Sequence, residues 1–501
     1  MVKLPAYIYV ETQGGYRMQI KCDKIVNVAS NQFYENKELS LEGAKKVISV
    51  QAFARTNSSQ SGNGEIKIDY SLSIRAVYLT EDGLVEKRES RYELNNAIRA
   101  NINVGDFSLI NTSVIGVEHH GLERLKVRVM LEQKGFFVKS TEVLPLDDES
   151  LAYKKERKKA SEIMPMNSTE IVLSAEEKVK ERVGEILSAD ATIILKKVSC
   201  ATDICEIDGK VNVYYTYLNG GEIFGQVLSF PFQHELLVEG IREGDVVRLE
   251  AIPTLVTLNV EELDEGAEIS AQVLSEVRGC YERSVEIEYP VDAYSKDLEV
   301  ALHTADMTID ENACSMRSNE RFSASLDLDE VKDALEVVSI GAPWVGACNL
   351  NLGQSLSVDG VVCAEVILKR ESGEYTRIFA EIPYTFDLGD NLNCTGSLLA
   401  NVVVSSFNAK VRFGATLEVS GELQVEINGR EEKVATYLVS SEVLGERVKN
   451  DAVISLYLVG EGETLFDCAK ALQSDEEELL ALNPDLDLPL KAGDKVLLYR
   501  P

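Results

Sequence analysis

The side chains best suited to chemistry are nine cysteines, four histidines and an excess of carboxylates. Metal or redox work by thiols needs two of them close together, as in Cys-x-x-Cys, and the nearest pair, Cys200 and Cys205, is spaced wrongly for it. The odd total also argues against a disulfide scaffold. Cys363, within Val361-Val362-Cys363-Ala364, and Cys468, on an apolar helical face, read as small buried hydrophobes. His119 and His120 are neighbours, so a strand points them to opposite faces and they cannot grip one ion together. His234 and His303 complete the set. The chain holds no Gly-x-x-x-x-Gly-Lys-Ser/Thr phosphate loop, no Gly-x-Ser-x-Gly elbow and no His-Glu-x-x-His helix. Carboxylates are abundant, but an acid and base pair needs burial that separates two pKa values, and abundance does not supply it. The expectation is a protein that is not an enzyme and has no catalytic residue, metal site or cofactor.

Acidic residues outnumber basic ones 83 to 51, a net charge of −32, so a nucleic-acid backbone is an excluded partner. The one compact basic run, Lys154, Lys155, Arg157, Lys158 and Lys159, is interrupted by Glu156 and reads as a solvated linker. Residues Met1 to Tyr16 lack the apolar centre of an export signal. The longest uncharged stretch, Val338 to Val358, contains Pro343, Asn349, Asn351 and Gln354 and is too polar to span hydrocarbon. The reading is of a chain that is neither exported by a classical signal nor an integral membrane protein.

What positions these residues is a repeat. Glu185-Ile186-Leu187-Ser188-Ala189 leads to a strand over Gly209 to Tyr214, an Asn219-Gly220-Gly221 turn and a strand ending Phe230-Pro231-Phe232. Glu336-Val337-Val338-Ser339-Ile340 leads in the same order to Gly360-Val361-Val362-Cys363-Ala364, a Glu371-Ser372-Gly373 turn and Ile382-Pro383-Tyr384. A looser copy runs from Val47-Ile48-Ser49-Val50 through a strand at Ile66 and an Asp82-Gly83 turn to Ser90-Arg91-Tyr92. Tyr92 and Phe232 lie 140 positions apart, and Phe232 and Tyr384 lie 152 apart, so each unit is a domain and not a solenoid repeat.

The units read as mainly β. Ile66, Ile68, Tyr70, Leu72, Ile74 and Ala76 alternate with Lys67, Asp69, Ser71, Ser73 and Arg75, and the same alternation returns over Val411, Phe413, Ala415, Leu417 and Val419. Two facing sheets per copy would hide those apolar faces. The predicted organisation is a divergent all-β domain over 1–148, a charged linker over 149–168, all-β domains over 169–292 and 293–447, and a distinct unit over 451–501. Ser174-Ala175-Glu176-Glu177 has the form of a capping box and predicts a short helix from Ala175.

The last unit changes period. Leu456 to Val459 reads as a strand and Gly460 to Leu465 as a tight turn into a helix with an apolar stripe at Leu465, Cys468, Ala469 and Leu472. Ser474-Asp475-Glu476-Glu477 has the form of a second capping box, Leu482-Asn483-Pro484 ends that helix, and Gly493 to Leu498 returns as a strand. This β-α-α-β order, with Gly462-Glu463-Thr464-Leu465, Leu482-Asn483-Pro484 and Ala492-Gly493-Asp494-Lys495-Val496, resembles the LysM domain. Glu463, Asp467 and Ala492 depart from that family's pattern. The locally complete unit is expected to fold as a fragment from Asp451 to Pro501.

The resemblance implies a ligand groove between the first turn and the loop after the second helix. Here that is Gly462, Glu463, Thr464, Leu465 and Phe466 facing Asn483, Pro484, Asp485, Leu486 and Leu488, with Phe466 and Leu486 as apolar anchors. LysM domains generally take N-acetylglucosamine-containing glycans. From Asp451 onward, however, eleven acids stand against four bases, a poor surface for an anionic wall polymer. Three all-β repeats before a terminal LysM are similar to clostridial spore-coat morphogenetic proteins. That resemblance implies a mother-cell cytoplasmic scaffold at the forespore surface whose LysM binds the coat basement-layer ATPase or another coat morphogenetic protein. The alternative implied is a peptidoglycan-binding wall or cortex protein.

Overall fold

The computed structural model describes residues 7–12, 15–328, 331, 333–352, 355–389, 396–412, 416–448 and 452–500, with side chains from Gln19 onward and that of Leu352 excepted. The chain is mainly β, with several antiparallel sheets and two short helices. One strand scheme recurs three times. The first segment holds β1 (Tyr7–Thr12), β2 (Gly15–Ser40), β3 (Ala44–Ser61), β4 (Glu65–Thr80), β5 (Val85–Arg99), β6 (Ser108–His120) and β7 (Arg124–Val143). The second holds β8 (Ala152–Val179), β9 (Ile186–Ala201), β10 (Ile204–Asn219), β11 (Glu222–Leu237), β12 (Val246–Glu262) and β13 (Ala267–Tyr294). The third holds β14 (Leu298–Asp327), β15 (Ala334–Ile340), β16 (Trp344–Leu352), β17 (Leu356–Arg370), β18 (Tyr375–Asp387), β19 (Leu398–Arg412) and β20 (Thr416–Glu446).

In each segment the long first strand pairs with the last, and the last with the one before it, giving β2-β7-β6, β8-β13-β12 and β14-β20-β19. The middle strands form a second sheet, β3-β4-β5, β9-β10-β11 and β15 or β16 with β17-β18. Two strands replace one in the last case because Gly341-Ala342-Pro343 interrupts the edge, where proline offers no ladder donor. The apolar half of the period-two pattern of β4 is realised, with Ile66, Ile68, Tyr70, Leu72, Ile74 and Ala76 all buried. On the alternate face Lys67 and Asp69 are exposed, but Ser71 is buried and Ser73 and Arg75 are half-buried, because that face is covered too. The recurring Gly and Pro-aromatic motif has a physical basis. Gly209 faces Phe232 and Gly360 faces Tyr384 across the ladder. A Cβ on Gly209 would lie 2.5 Å from the Phe232 ring and one on Gly360 would lie 2.5 Å from the Tyr384 hydroxyl, so the ring occupies the space of the missing side chain. In the first segment Tyr92 faces Leu72 instead.

Two expectations are overturned between the first and second segments. Residues from Ala152 to Val179 form one strand, so residues 152–168 of the linker expected over 149–168 and the helix expected from Ala175 both belong to β8. Arg157 pairs in register with Glu288, where Lys155 also bonds, and Ala160 and Ile163 are buried. Ile171 and Leu173 are buried while Val172 is exposed, a period of two that overrides the capping-box sequence. Pro165 is tolerated because β8 is the edge of its sheet. The boundary expected at 292 falls inside β13. Phe413 and Ala415, and residues 449–451 of the last boundary, lie outside the described residues.

The three segments share their interior. Ile20, Cys22 and Val143 pack with Ala160, Ile287 and Tyr289 and with Met307, Ile309, Ala435 and Tyr437 in one core drawn from all three. A second shared core joins Ile48 and Val77, Leu187 and Ile223, and Val338 and Ile367. Between these cores run hydrogen bonds from segment to segment: Ile163 N–H to Asp23 at 2.9 Å and Ile25 N–H to Asp310 at 3.1 Å. Arg430 gives Nη1 to Glu282 at 2.8 Å and Nε to Asp310 at 2.7 Å, and Arg248 reaches the same Glu282 at 2.6 Å. Arg248 and Arg430 hold the Glu282 carboxyl below its usual range against the upward push of burial. Asp310 has one arginine in place of two, and burial wins, so its pKa is raised.

Candidate functional site

The C-terminal unit contains β21 (Ile454–Leu458), α1 (Leu465–Leu472), α2 (Glu476–Leu482) and β22 (Lys495–Tyr499). β21 and β22 pair antiparallel, and the helices cover one face of that ribbon. At the start of α1 the Thr464 amide and hydroxyl both donate to the Asp467 carboxylate, at 2.8 and 2.7 Å. Asp467, a departure from the family pattern, is therefore a cap. The second cap sits one residue later than the sequence suggests: Asp475 is the N-cap of α2, and Ser474 Oγ donates to Glu478 at 2.5 Å.

The groove set divides sharply by what its side chains do. Glu463 accepts from the Tyr457 hydroxyl at 2.8 Å and from the Gly460 amide at 2.7 Å, closing the first turn. Asn483 donates to the Leu479 and Leu497 carbonyls, both at 2.7 Å, and accepts from Leu497 N–H at 2.8 Å, which staples the end of α2 to β22. With Thr464 bonded to Asp467, three polar members of the set are engaged within the fold. Leu465 is buried, and Phe466, expected to stand in the groove, is buried too. Leu486 is partly buried against the same core. Gly462, Pro484, Asp485 and Leu488 are exposed.

Phe466 is covered by the strand-rich body. Its ring meets Tyr294, the last residue of β13, edge-on at 5.2 Å, and the Tyr294 hydroxyl donates to the Ser474 carbonyl at 2.6 Å. Burial, with Asp475 and Glu476 nearby, pushes the Tyr294 phenol up to about 12, so it stays a donor at neutral pH. Ion pairs ring this contact: Lys154 with Asp467 at 3.1 Å, Asp292 with Lys470 at 2.6 Å, and Lys296 with Asp475 at 2.6 Å. Arg447 donates to the Lys470 carbonyl at 3.2 Å and Gln473 to the Val448 carbonyl at 3.1 Å. The core of the C-terminal unit thus includes Tyr294 and borders Ala152, residues that a fragment from Asp451 would lack. No local sequence signal marks this seam, since Tyr294 ends an alternating strand like many others.

A cavity of about 1220 Å³ lies among the three segments, walled by β6, β12 and β19. Its charged side chains largely answer one another: Arg75 meets Asp190 at 3.2 Å, Arg317 meets Glu426 at 2.9 Å and Arg248 meets Glu282. His119 is half-buried and His120 exposed, on opposite faces at the end of β6. No helix among the described residues is long and apolar enough to cross a membrane. No protein-family model, curated protein or solved structure matches the chain.

Proposed function

We propose that the chain is a non-enzymatic scaffold of spore-coat morphogenesis, whose body of three β segments carries a LysM-like C-terminal module that binds a coat protein. The partner implied by the resemblance is the coat basement-layer ATPase, in the mother-cell cytoplasm at the forespore surface. The observation that supports a protein over a glycan is the state of the groove's polar groups. A sugar is held by side chains free to hydrogen-bond its hydroxyls, whereas Glu463, Thr464 and Asn483 are engaged within the module. The acidic Asp485 and the apolar Pro484 and Leu488 remain at the surface, a composition that suits a protein patch with an apolar centre and basic rim.

The test is a direct comparison of the two ligands with the full chain. Purified coat ATPase should be retained by the immobilised protein, and soluble chitin oligomers should not compete. Truncating Leu488, which is 57% exposed, should weaken retention without a change in circular dichroism. Sedimentation with purified peptidoglycan at near-physiological salt, with no ATPase retained, would replace this reading by that of a peptidoglycan-binding wall or cortex protein.

A further inference from the structure

The ribbon of the C-terminal module is amphipathic in the wrong sense. A half-buried antiparallel ribbon ordinarily turns polar residues to water. Here Ser455, Tyr457, Val496 and Leu498 face the helices, while Ile454, Leu456 and Leu458 of β21 and Leu497 and Tyr499 of β22 face outward. These five are 63%, 60%, 63%, 38% and 47% exposed. They adjoin one another, because Ile454 pairs with Tyr499 and Leu456 with Leu497. The only charge among the outward residues is Lys495, opposite Leu458. A contiguous apolar patch of this kind marks an interaction surface.

We infer that this face is the interface between two copies of the chain. The first argument is charge. With a net charge of −32, most of the surface repels a second copy, and these outward residues include no acid. The second argument is self-complementarity. In a two-fold contact with the axis across the strands, β22 lies over its symmetry mate in reverse. Leu497 then meets Leu497 at the centre, and Lys495 at one end of the strand comes over the Tyr499 ring at the other, a cation–π pair made twice. The third argument is area. Taking on the order of 200 Å² for a large apolar residue in full exposure, the five, which are about half exposed, supply at most roughly 500 Å² per copy. Two copies give at most about 1,000 Å², the lower bound for a specific interface, which defines a weak, reversible dimer.

Charge gives the contact a signature. The two chains repel at long range, so added salt screens the repulsion and tightens the dimer, whereas an interface built on ion pairs would loosen. Sedimentation equilibrium of the full chain, over a concentration series at 50 mM and 500 mM NaCl, should show a monomer–dimer equilibrium several-fold tighter at the higher salt. Leu456→Glu and, separately, Leu458→Glu place a carboxylate on an exposed position and should abolish the dimer with an unchanged circular dichroism spectrum. Lys495→Glu should weaken it about tenfold. A chain that stays monomeric at about 200 µM in both salts overturns the inference. So does a dimer that survives both leucine substitutions, or one that loosens with salt.

Discussion

Two seams hold this molecule together, and they are built from the same residue types to opposite effect. Where the three segments meet, Arg430, Glu282 and Asp310 are 0%, 2% and 3% exposed at their side chains. Where the C-terminal module meets the body, Lys296 and Asp475 are 46% and 50% exposed, and Lys154 and Lys470 are 35% and 38% exposed. A buried charge is tolerable only while its partner is present, so the inner seam fixes the arrangement of the segments at the cost of being intolerant of loss. An ion pair in water contributes little, so the outer seam depends on Tyr294 and Phe466 and can open locally. The body is therefore expected to melt as a unit, and the module to detach before it.

The largest break is at the inner seam. Arg430→Met leaves Glu282 with one arginine and Asp310 with none, each carboxylate still buried, and should cost about 3–5 kcal/mol. The urea midpoint of the β-sheet signal should fall accordingly, in a single transition shared by all three segments. A shift confined to a subset of the segments, read by hydrogen exchange, would show that they melt separately. Next comes Tyr294→Ala, which uncovers Phe466 and removes the hydroxyl from the Ser474 carbonyl. By the scale of aromatic truncations it should cost about 3 kcal/mol of docking. Amides of α1 and α2 should exchange faster while those of β4, β10 and β17 do not. Tyr294→Phe, which keeps the ring, should lose only about 1 kcal/mol.

A smaller effect, with a sign set by pH, is expected where the first segment meets the second. Burial raises Asp190 to about 6 despite the Arg75 guanidinium beside it. A carboxyl whose folded pKa lies above its unfolded value favours the folded state when protonated. Its contribution is full below about pH 4 and is lost as pH rises through about 6. Asp190→Asn mimics the protonated form. The variant should match the wild type near pH 4 and exceed its stability above pH 6 by on the order of 2 kcal/mol. Urea midpoints that stay parallel from pH 4 to 7 would assign no such cost to the ionised carboxylate.

The two seams also differ in how far they can be read from the residues. The strand periods, the turns at Gly83, Gly221 and Gly373 and the order of the C-terminal unit are local, and they are visible in the chain. The alternation at Ile66 to Ala76 needs only a core on one side, whatever that core is. What joins the segments is not local: Arg430, Glu282 and Asp310 are far apart in sequence, and nothing distinguishes them from the other charges before the sheets bring them together. The basic run at Lys154 misleads because exposed charge marks the solvent edge of a strand as readily as a linker, and what makes it a strand, Glu288 across the ladder and Asp467 across the seam, is remote in sequence. Phe466 misleads in the same way, since a groove inferred by resemblance carries no information about the Tyr294 that covers it.

The smallest expected effect is the one that sharpens the comparison most. Lys296→Ala removes an ion pair whose two side chains are each about half exposed, although its 2.6 Å separation is as short as any at the inner seam. Distance alone would rank it with Arg430 and Glu282. Screening by water ranks it near zero: a pair of this kind is worth about 0.2–1 kcal/mol, and less as salt rises. Exchange rates of the α2 amides should therefore change by less than about fivefold at low salt, and the difference should vanish near 0.5 M NaCl. A salt-independent loss as large as that from Tyr294→Ala would mean that the outer seam is held by charge, and the contrast between the two seams would fail.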